Sequence, residues 1–436
     1  MQVPVSKGGD EGMTSGNGER RALGAKGEEQ RRPVACRKDC LCTLVVLLMA
    51  TCAPRAKAGQ APDAIWTGTW AVAPMHDNSG KVFHNQTLRQ IVHTSVGGKR
   101  GRLRISNVFG SLPVKIEDVH IALRSSGASI IKDSDCQVRF GGRTNMVLAP
   151  GATAVSDSIA FVVPPLADVA ISFYLPESTG PATFHASSHQ TSYIESGDVS
   201  ATADMDGAAT FRSNYFLSGL DVQDASIRGA IVTLGASITE GYSARDDMNL
   251  RWPDELARRL SARGLSVGVL NLGISGNRLL ASGAGPSAES RFDRDVLQQP
   301  NVRWVIFSDD PINDLGSTKP PPSGQELIAG LRRLMARAHE KDVRFLCSTL
   351  TPFEGANYWT AEEEEAREMF NAFVGSQTSG CDALVDQDRA THDSSNPARY
   401  LAAYDSGDHL HPNDAGHKAI ADAIDLGFFV SSGEIR

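Results

Sequence analysis

The stretch Ile231-Val232-Thr233-Leu234-Gly235-Ala236-Ser237-Ile238-Thr239-Glu240-Gly241 decides how this chain of 436 residues is read. Its first four residues form a short apolar run with no polar alternation, the pattern of a strand buried on both faces. A glycine-flanked turn follows, and a serine there can expose its hydroxyl beside the N–H groups of a starting helix. Such a serine alone is most often a plain N-cap, so its surroundings must decide. Downstream, Pro253 opens a helix with Asp254 and Glu255 in its first turn and Trp252, Leu256 and Leu260 on one face, and Gly264 ends it. Further apolar strands are expected at residues 267–270, 302–307, 343–346 and 383–385. Ser323-Gly324-Gln325-Glu326 and Thr360-Ala361-Glu362-Glu363 read as capping boxes, the first opening a helix with Leu327, Leu331, Leu334 and Ala338 on one side. A last helix runs from about Asn413 to Asp425. Strands alternating with helices predict an α/β domain, a parallel sheet flanked by helices, with its chemistry beyond the carboxyl ends of the strands.

Three more segments stand where that rule puts them. After the second strand comes Asn271-Leu272-Gly273-Ile274-Ser275-Gly276-Asn277-Arg278, whose glycines allow a tight turn or present a backbone N–H to a developing oxyanion. After the third comes Pro311-Ile312-Asn313-Asp314, where Asn313 is either a turn residue or an amide aimed into the cleft. Near the C-terminus stands Asp408-His409-Leu410-His411-Pro412. An aspartate three residues before a histidine can fold back on the ring, fix its tautomer and stabilise its protonated form. His409 and His417 are read as structural or solvent-facing.

Taken in this order, each after a strand, the four segments resemble the SGNH/GDSL hydrolase superfamily, whose blocks carry Ser, Gly, Asn and His. The resemblance covers residues 228–425. It implies a three-layer, flavodoxin-like domain and a serine esterase acting through an acyl-enzyme. Ser237, Asp408 and His411 would be catalytic, and the Ser237 N–H, Gly276 N–H and Asn313 amide would form the oxyanion hole. No metal or organic cofactor is implied, and the substrate would be a small-molecule or polysaccharide-borne ester. Two positions depart from the pattern. Ala236 stands where the family usually has Asp, which predicts a less constrained serine turn with a donor left unpaired. Asp309 or Asp310 is the candidate to supply the missing carboxylate. Pro311 stands where the family usually has Gly, which predicts a displaced Asn313 loop.

Upstream the texture changes. Leu103 and Ile105 alternate with Arg102 and Arg104; Val114 with Ile116; Val119, Ile121 and Leu123; and Val169, Ile171, Phe173 and Leu175. Period two over short segments predicts a β-sandwich-like region of antiparallel strands at residues 59–225, preceding the hydrolase domain at 226–436. Trp66-Thr67-Gly68-Thr69-Trp70-Ala71, Asn85-Gln86-Thr87-Leu88-Arg89-Gln90, Ser106-Asn107-Val108-Phe109-Gly110, Thr183-Phe184-His185 and Gln190-Thr191-Ser192-Tyr193 are similar to a subgroup of secreted GDSL esterases with an N-terminal β-domain.

Residues 1–58 read as an extension and signal peptide: Arg37 and Lys38, an apolar run from Leu41 to Ala50, and Ala56-Lys57-Ala58 before Gly59. The run is too short for a transmembrane anchor of roughly 20 residues. Lipid attachment at Cys52 is the disfavoured alternative, because Met49-Ala50-Thr51 is a poor approach sequence. Cleavage after Ala58 removes ten of 43 basic and six of 51 acidic residues, leaving a net charge near −12. That acidity argues against nucleic acid or an anionic membrane as partner. Cys36, Cys40, Cys42 and Cys52 fall in the leader, so Cys136, Cys347 and Cys381 allow at most one bridge. Two rival readings remain: a carbohydrate-specific O-deacetylase, and a binding protein on a weakened hydrolase fold.

Overall fold

The computed structural model describes residues 65–430, all within one compact unit that begins at Gln60. The expected leader, its cysteines and the expected cleavage site before Gly59 lie outside the described residues. No helix among those described is long and apolar enough to cross a membrane.

The first part is antiparallel and β-rich. Its strands include β1 (Trp66–Ala71), β2 (Gln86–His93), β3 (Arg100–Ser106), β4 (Val114–Ser126), β5 (Asp168–Leu175), β6 (Thr183–His185), β7 (Ser192–Ser196) and β8 (Leu217–Gln223). β8 lies between β1 and β3 in one sheet, and β7, β2, β5 and β4 follow one another in a second. Leu103, Ile105 and Leu220 of the first sheet share a core with Leu88, Val92, Ile121, Val169 and Phe173 of the second. The apolar positions of β4 change parity between Ile116 and Val119, and Asp118 in between has φ of 42°. A bulge there, opposite the register shift at Ser172–Tyr174, keeps both halves of the strand facing inward.

The second part is the parallel sheet. β9 (Ala230–Gly235), β10 (Gly268–Gly273), β11 (Val302–Phe307), β12 (Arg344–Ser348) and β13 (Ala383–Val385) pair in the order β10-β9-β11-β12-β13. This is the doubly wound order in which the strand sequence reverses beside the first strand, opening a crevice between β9 and β11. Helices α1 (Ser237–Glu240), α2 (Trp252–Ala262), α3 (Asp310–Ser317), α4 (Gly324–His339), α5 (Ala361–Val374) and α6 (Asp414–Asp422) connect or follow the strands. Leu327, Leu331, Leu334 and Ala338 of α4 are fully buried, as the spacing predicts. The box at Ser323 is complete, Ser323 accepting from the Glu326 N–H and Glu326 from the Ser323 N–H. That at Thr360 is half formed. Thr360 accepts from the Glu363 N–H, while the Glu363 carboxylate faces Lys319.

β10 is an edge strand of this sheet, and the β-rich part covers it. Gly268 lies so close to β1 that an added Cβ would sit 2.1 Å from the Gly68 carbonyl oxygen. The Val269 N–H donates to Ser95 Oγ at 2.9 Å, and Asn301 Nδ2 to Thr67 Oγ1 at 2.9 Å. Ala71, Ala73 and Met75 belong to the core of the parallel-sheet part. Cys347 of β12 is disulfide-bonded to Cys381, two residues before β13, and Cys136 is free.

Candidate active site

β9 ends at Gly235, and the chain turns through Ala236 into α1, which begins with Ser237. The loop before α6 carries Asp408 and His411 back over this turn. His411 Nε2 accepts from the Ser237 hydroxyl at 2.9 Å, and His411 Nδ1 donates to Asp408 Oδ2 at 2.6 Å. Asp408 Oδ1 also accepts from the His411 and Leu410 N–H groups at 2.9 and 3.0 Å and from Ser406 Oγ at 2.9 Å. Burial alone would raise the Asp408 pKa, but these bonds, His411 foremost, bring it to about 2. An ionised carboxylate only accepts, so the ring proton stays on Nδ1 and the Nε2 lone pair faces Ser237. Ser237 and His411 are 8% and 9% exposed.

Gly276 has φ of +75°, a left-handed turn that favours glycine, and its N–H has no acceptor among the described residues. Asn313 lies on α3, a helix and not a turn, and its Nδ2 donates to the Asn277 carbonyl at 3.0 Å, one residue past Gly276. Pro311 does not distort this arrangement. It occupies the first turn of α3, where a helix lacks partners for its N–H groups in any case. The expected unpaired donor beside Ala236 is absent too: the Ile238 N–H and Thr239 hydroxyl donate to Asp309.

Four residues around the site escaped the sequence reading. Glu240, on the helix of Ser237 and 2% exposed, accepts from the Ser275 hydroxyl and lies 3.2 Å from His185 Nε2 of β6. Burial opposes its ionisation, yet His185 and Ser275 hold its pKa below the usual carboxylate range. Glu240 thereby ties the serine helix to the Gly276 loop and to the β-rich part. Its place three residues after Ser237 was the available signal. Arg291, fully buried, donates to the Gly235 and Leu272 carbonyls and to Asn277 Oδ1, joining the ends of β9 and β10. Nothing local in the sequence marks it. The Tyr242 ring centroid lies 4.2 Å from that of His411, and Tyr242 is half-exposed at the rim.

His409 and His417, read from the sequence as structural or solvent-facing, make no contact with Ser237. His417 is buried, its Nε2 3.2 Å from the Tyr242 carbonyl oxygen, and burial lowers its pKa to about 4. His409 is bonded to Asp405 at 2.6 Å at the surface.

Residues 233–419 match the GDSL-like Lipase/Acylhydrolase family, and this part of the chain is a hydrolase domain of the SGNH/GDSL superfamily. Among solved structures, similarity extends to an aryl esterase of M. smegmatis, at 15% identity and a TM-score of 0.37 over 45% of this chain and 95% of that one. A lipase/acylhydrolase of Enterococcus faecalis is similar at 18% identity and a TM-score of 0.37, over 46% and 95%. A GDSL-like lipase of Bacteroides thetaiotaomicron is similar at 14% identity and a TM-score of 0.35, over 46% and 87%. No curated protein matches the chain.

Proposed function

We propose that this chain is an exported serine esterase that hydrolyses carboxylic esters through an acyl-enzyme on Ser237. The observation that carries the reading is the continuous relay from Asp408 through His411 to the Ser237 hydroxyl, at 2.6 and 2.9 Å. His411 Nε2 takes the Ser237 proton as Oγ attacks the ester carbonyl. The Ser237 and Gly276 N–H groups and the Asn313 amide stabilise the tetrahedral oxyanion. The protonated ring then gives its proton to the leaving alcohol, and water, activated by the same nitrogen, releases the acid. Only protein groups and water take part.

Export is supported by the leader in the sequence and by the Cys347–Cys381 bridge, a bond suited to an oxidising compartment. The substrate is a small-molecule or polysaccharide-borne ester. A panel of p-nitrophenyl esters and acetylated sugars on the protein lacking its leader, with Ser237→Ala as control, tests the function. Turnover of at least one ester that Ser237→Ala abolishes is expected. No turnover of any, from folded protein, would sink it. A mature N-terminus at Gly59 is the matching expectation for export, and a lipid-modified Cys52 in the purified protein would replace it with a membrane-anchored form.

A further inference from the structure

Asp309 lies two residues past the end of β11 and immediately precedes α3, the place from which an aspartate ordinarily caps its own helix. It caps nothing in α3. Its Oδ2 accepts instead from the Ile238 N–H at 2.8 Å, and its Oδ1 from the Thr239 hydroxyl at 2.6 Å. Both donors belong to α1, whose own flanking residue, Ala236, makes no side-chain hydrogen bond. The carboxylate is almost wholly buried and reaches these donors across Gly235. A Cβ on Gly235 would lie 2.4 Å from Asp309 Oδ1 and 2.1 Å from Thr239 Oγ1. The glycine is therefore required by space and not by its φ. The neighbouring Asp310 does none of this: its oxygens have no hydrogen-bond partner among the described residues.

We propose that Asp309 is a positioning residue for Ser237, and that Gly235, Ala236 and Asp309 work as one unit. Gly235 leaves the path open, Ala236 adds no second carboxylate, and Asp309 supplies from the turn after β11 the acceptor the serine turn lacks. A buried donor without an acceptor costs about 1–3 kcal/mol, and bonds to a charged acceptor are roughly twice as strong as neutral ones. Two such bonds, to the residues one and two after Ser237, fix the turn that aims its hydroxyl at His411. This rests on Ser237 being the nucleophile.

The test measures kcat and KM for p-nitrophenyl acetate, and the rate of fluorophosphonate labelling, in wild type, Asp309→Ala, Ala236→Asp and the double variant. Asp309→Ala should lower kcat and labelling about 10²-fold with KM within about threefold, the pattern of a misaimed nucleophile. Ala236→Asp alone should also lower kcat, because it crowds two carboxylates into one turn. The double variant should exceed Asp309→Ala by at least about tenfold in kcat, a non-additive rescue. Wild-type kcat in Asp309→Ala would overturn the proposal, as would a folded double variant no better than the single. Asp309→Asn keeps one acceptor oxygen and guards against failure to fold; its kcat should fall about tenfold, and an unchanged kcat would overturn the proposal. Wild-type protein that does not label, or labelling that survives Ser237→Ala, would instead remove the nucleophile reading and this proposal with it.

Discussion

Asp310 is fully buried, and burial pushes its pKa up to about 7 despite Arg291 Nη2 at 3.7 Å. Burial likewise raises Asp314 to about 6, although the Leu279 and Leu280 N–H groups donate to it. Unfolded, both would ionise near pH ~4. Between that pH and the folded values the native state keeps protons that the unfolded chain has lost, so stability falls as pH rises through this window. Asp408 has the opposite sign, its contribution being present above pH ~4 and lost toward about 2. Asp310→Asn is thus expected to raise the melting temperature by a few degrees at pH 8 and to change it little at pH 4. An equal change at both would contradict the assignment. On the proposed function, Asn313→Ala should lower kcat roughly 10²- to 10³-fold with little change in KM. An unchanged kcat would leave Asn313 as only the tie between α3 and the Asn277 carbonyl. The sequence displayed Ser237, Gly276, Asn313, Asp408 and His411 because each sits in a short local motif. It could not display Arg291 or the choice between Asp309 and Asp310, which depend on which side chain points across to another strand.

The parallel strands and helices were legible where one physical signal dominated. β11 and β13 carry the bounds expected from their apolar runs, and α4 buries the four residues its spacing selected. Boundaries shifted where pairing outruns the apolar stretch: β10 spans Gly268–Gly273 because pairing with β9 continues to Gly273, and β12 spans Arg344–Ser348 because pairing with β13 continues to Ser348. The second capping box was half right, since a glutamate at the third position can turn to a lysine as readily as to its own N-cap. A measurable difference follows. Ser323→Ala should cost about 1 kcal/mol in chemical denaturation, by loss of the hydroxyl acceptor for the Glu326 N–H. Glu326→Ala should add to the loss less than its own single effect, because the two halves share one turn. Glu363→Ala, lacking the reciprocal bond, should leave the α5 N-terminus nearly unaffected. Strict additivity at Ser323 and Glu326 would argue that the bonds act separately.

Across the whole molecule, the β-rich part does more than precede the hydrolase domain. It supplies Ala71, Ala73 and Met75 to the hydrolase core, and Ser95 and Thr67 as hydrogen-bond acceptors for residues of that part. A period-two pattern announces such strands, but it cannot say which sheet edge they will cover. A fragment of residues 226–436 is therefore expected to be insoluble or self-associated, with the backbone of β10 left as an open edge. A monomeric, fully active fragment would show that this cover is dispensable. His185→Ala should lower kcat more than KM rises, through Glu240 and the loop bearing Gly276. Equal loss of melting temperature without loss of kcat would confine His185 to packing.

The contact between His185 and Glu240 also has a practical meaning. One partner is made before Ser237 is translated, and the other rides on the same helical turn as that serine. Whatever loosens the early strands, whether heat, denaturant or a nearby substitution, reaches the Ser237 turn through this one contact. On the proposed function, ester turnover would then report on the folding of the β-rich part as well as on the site itself.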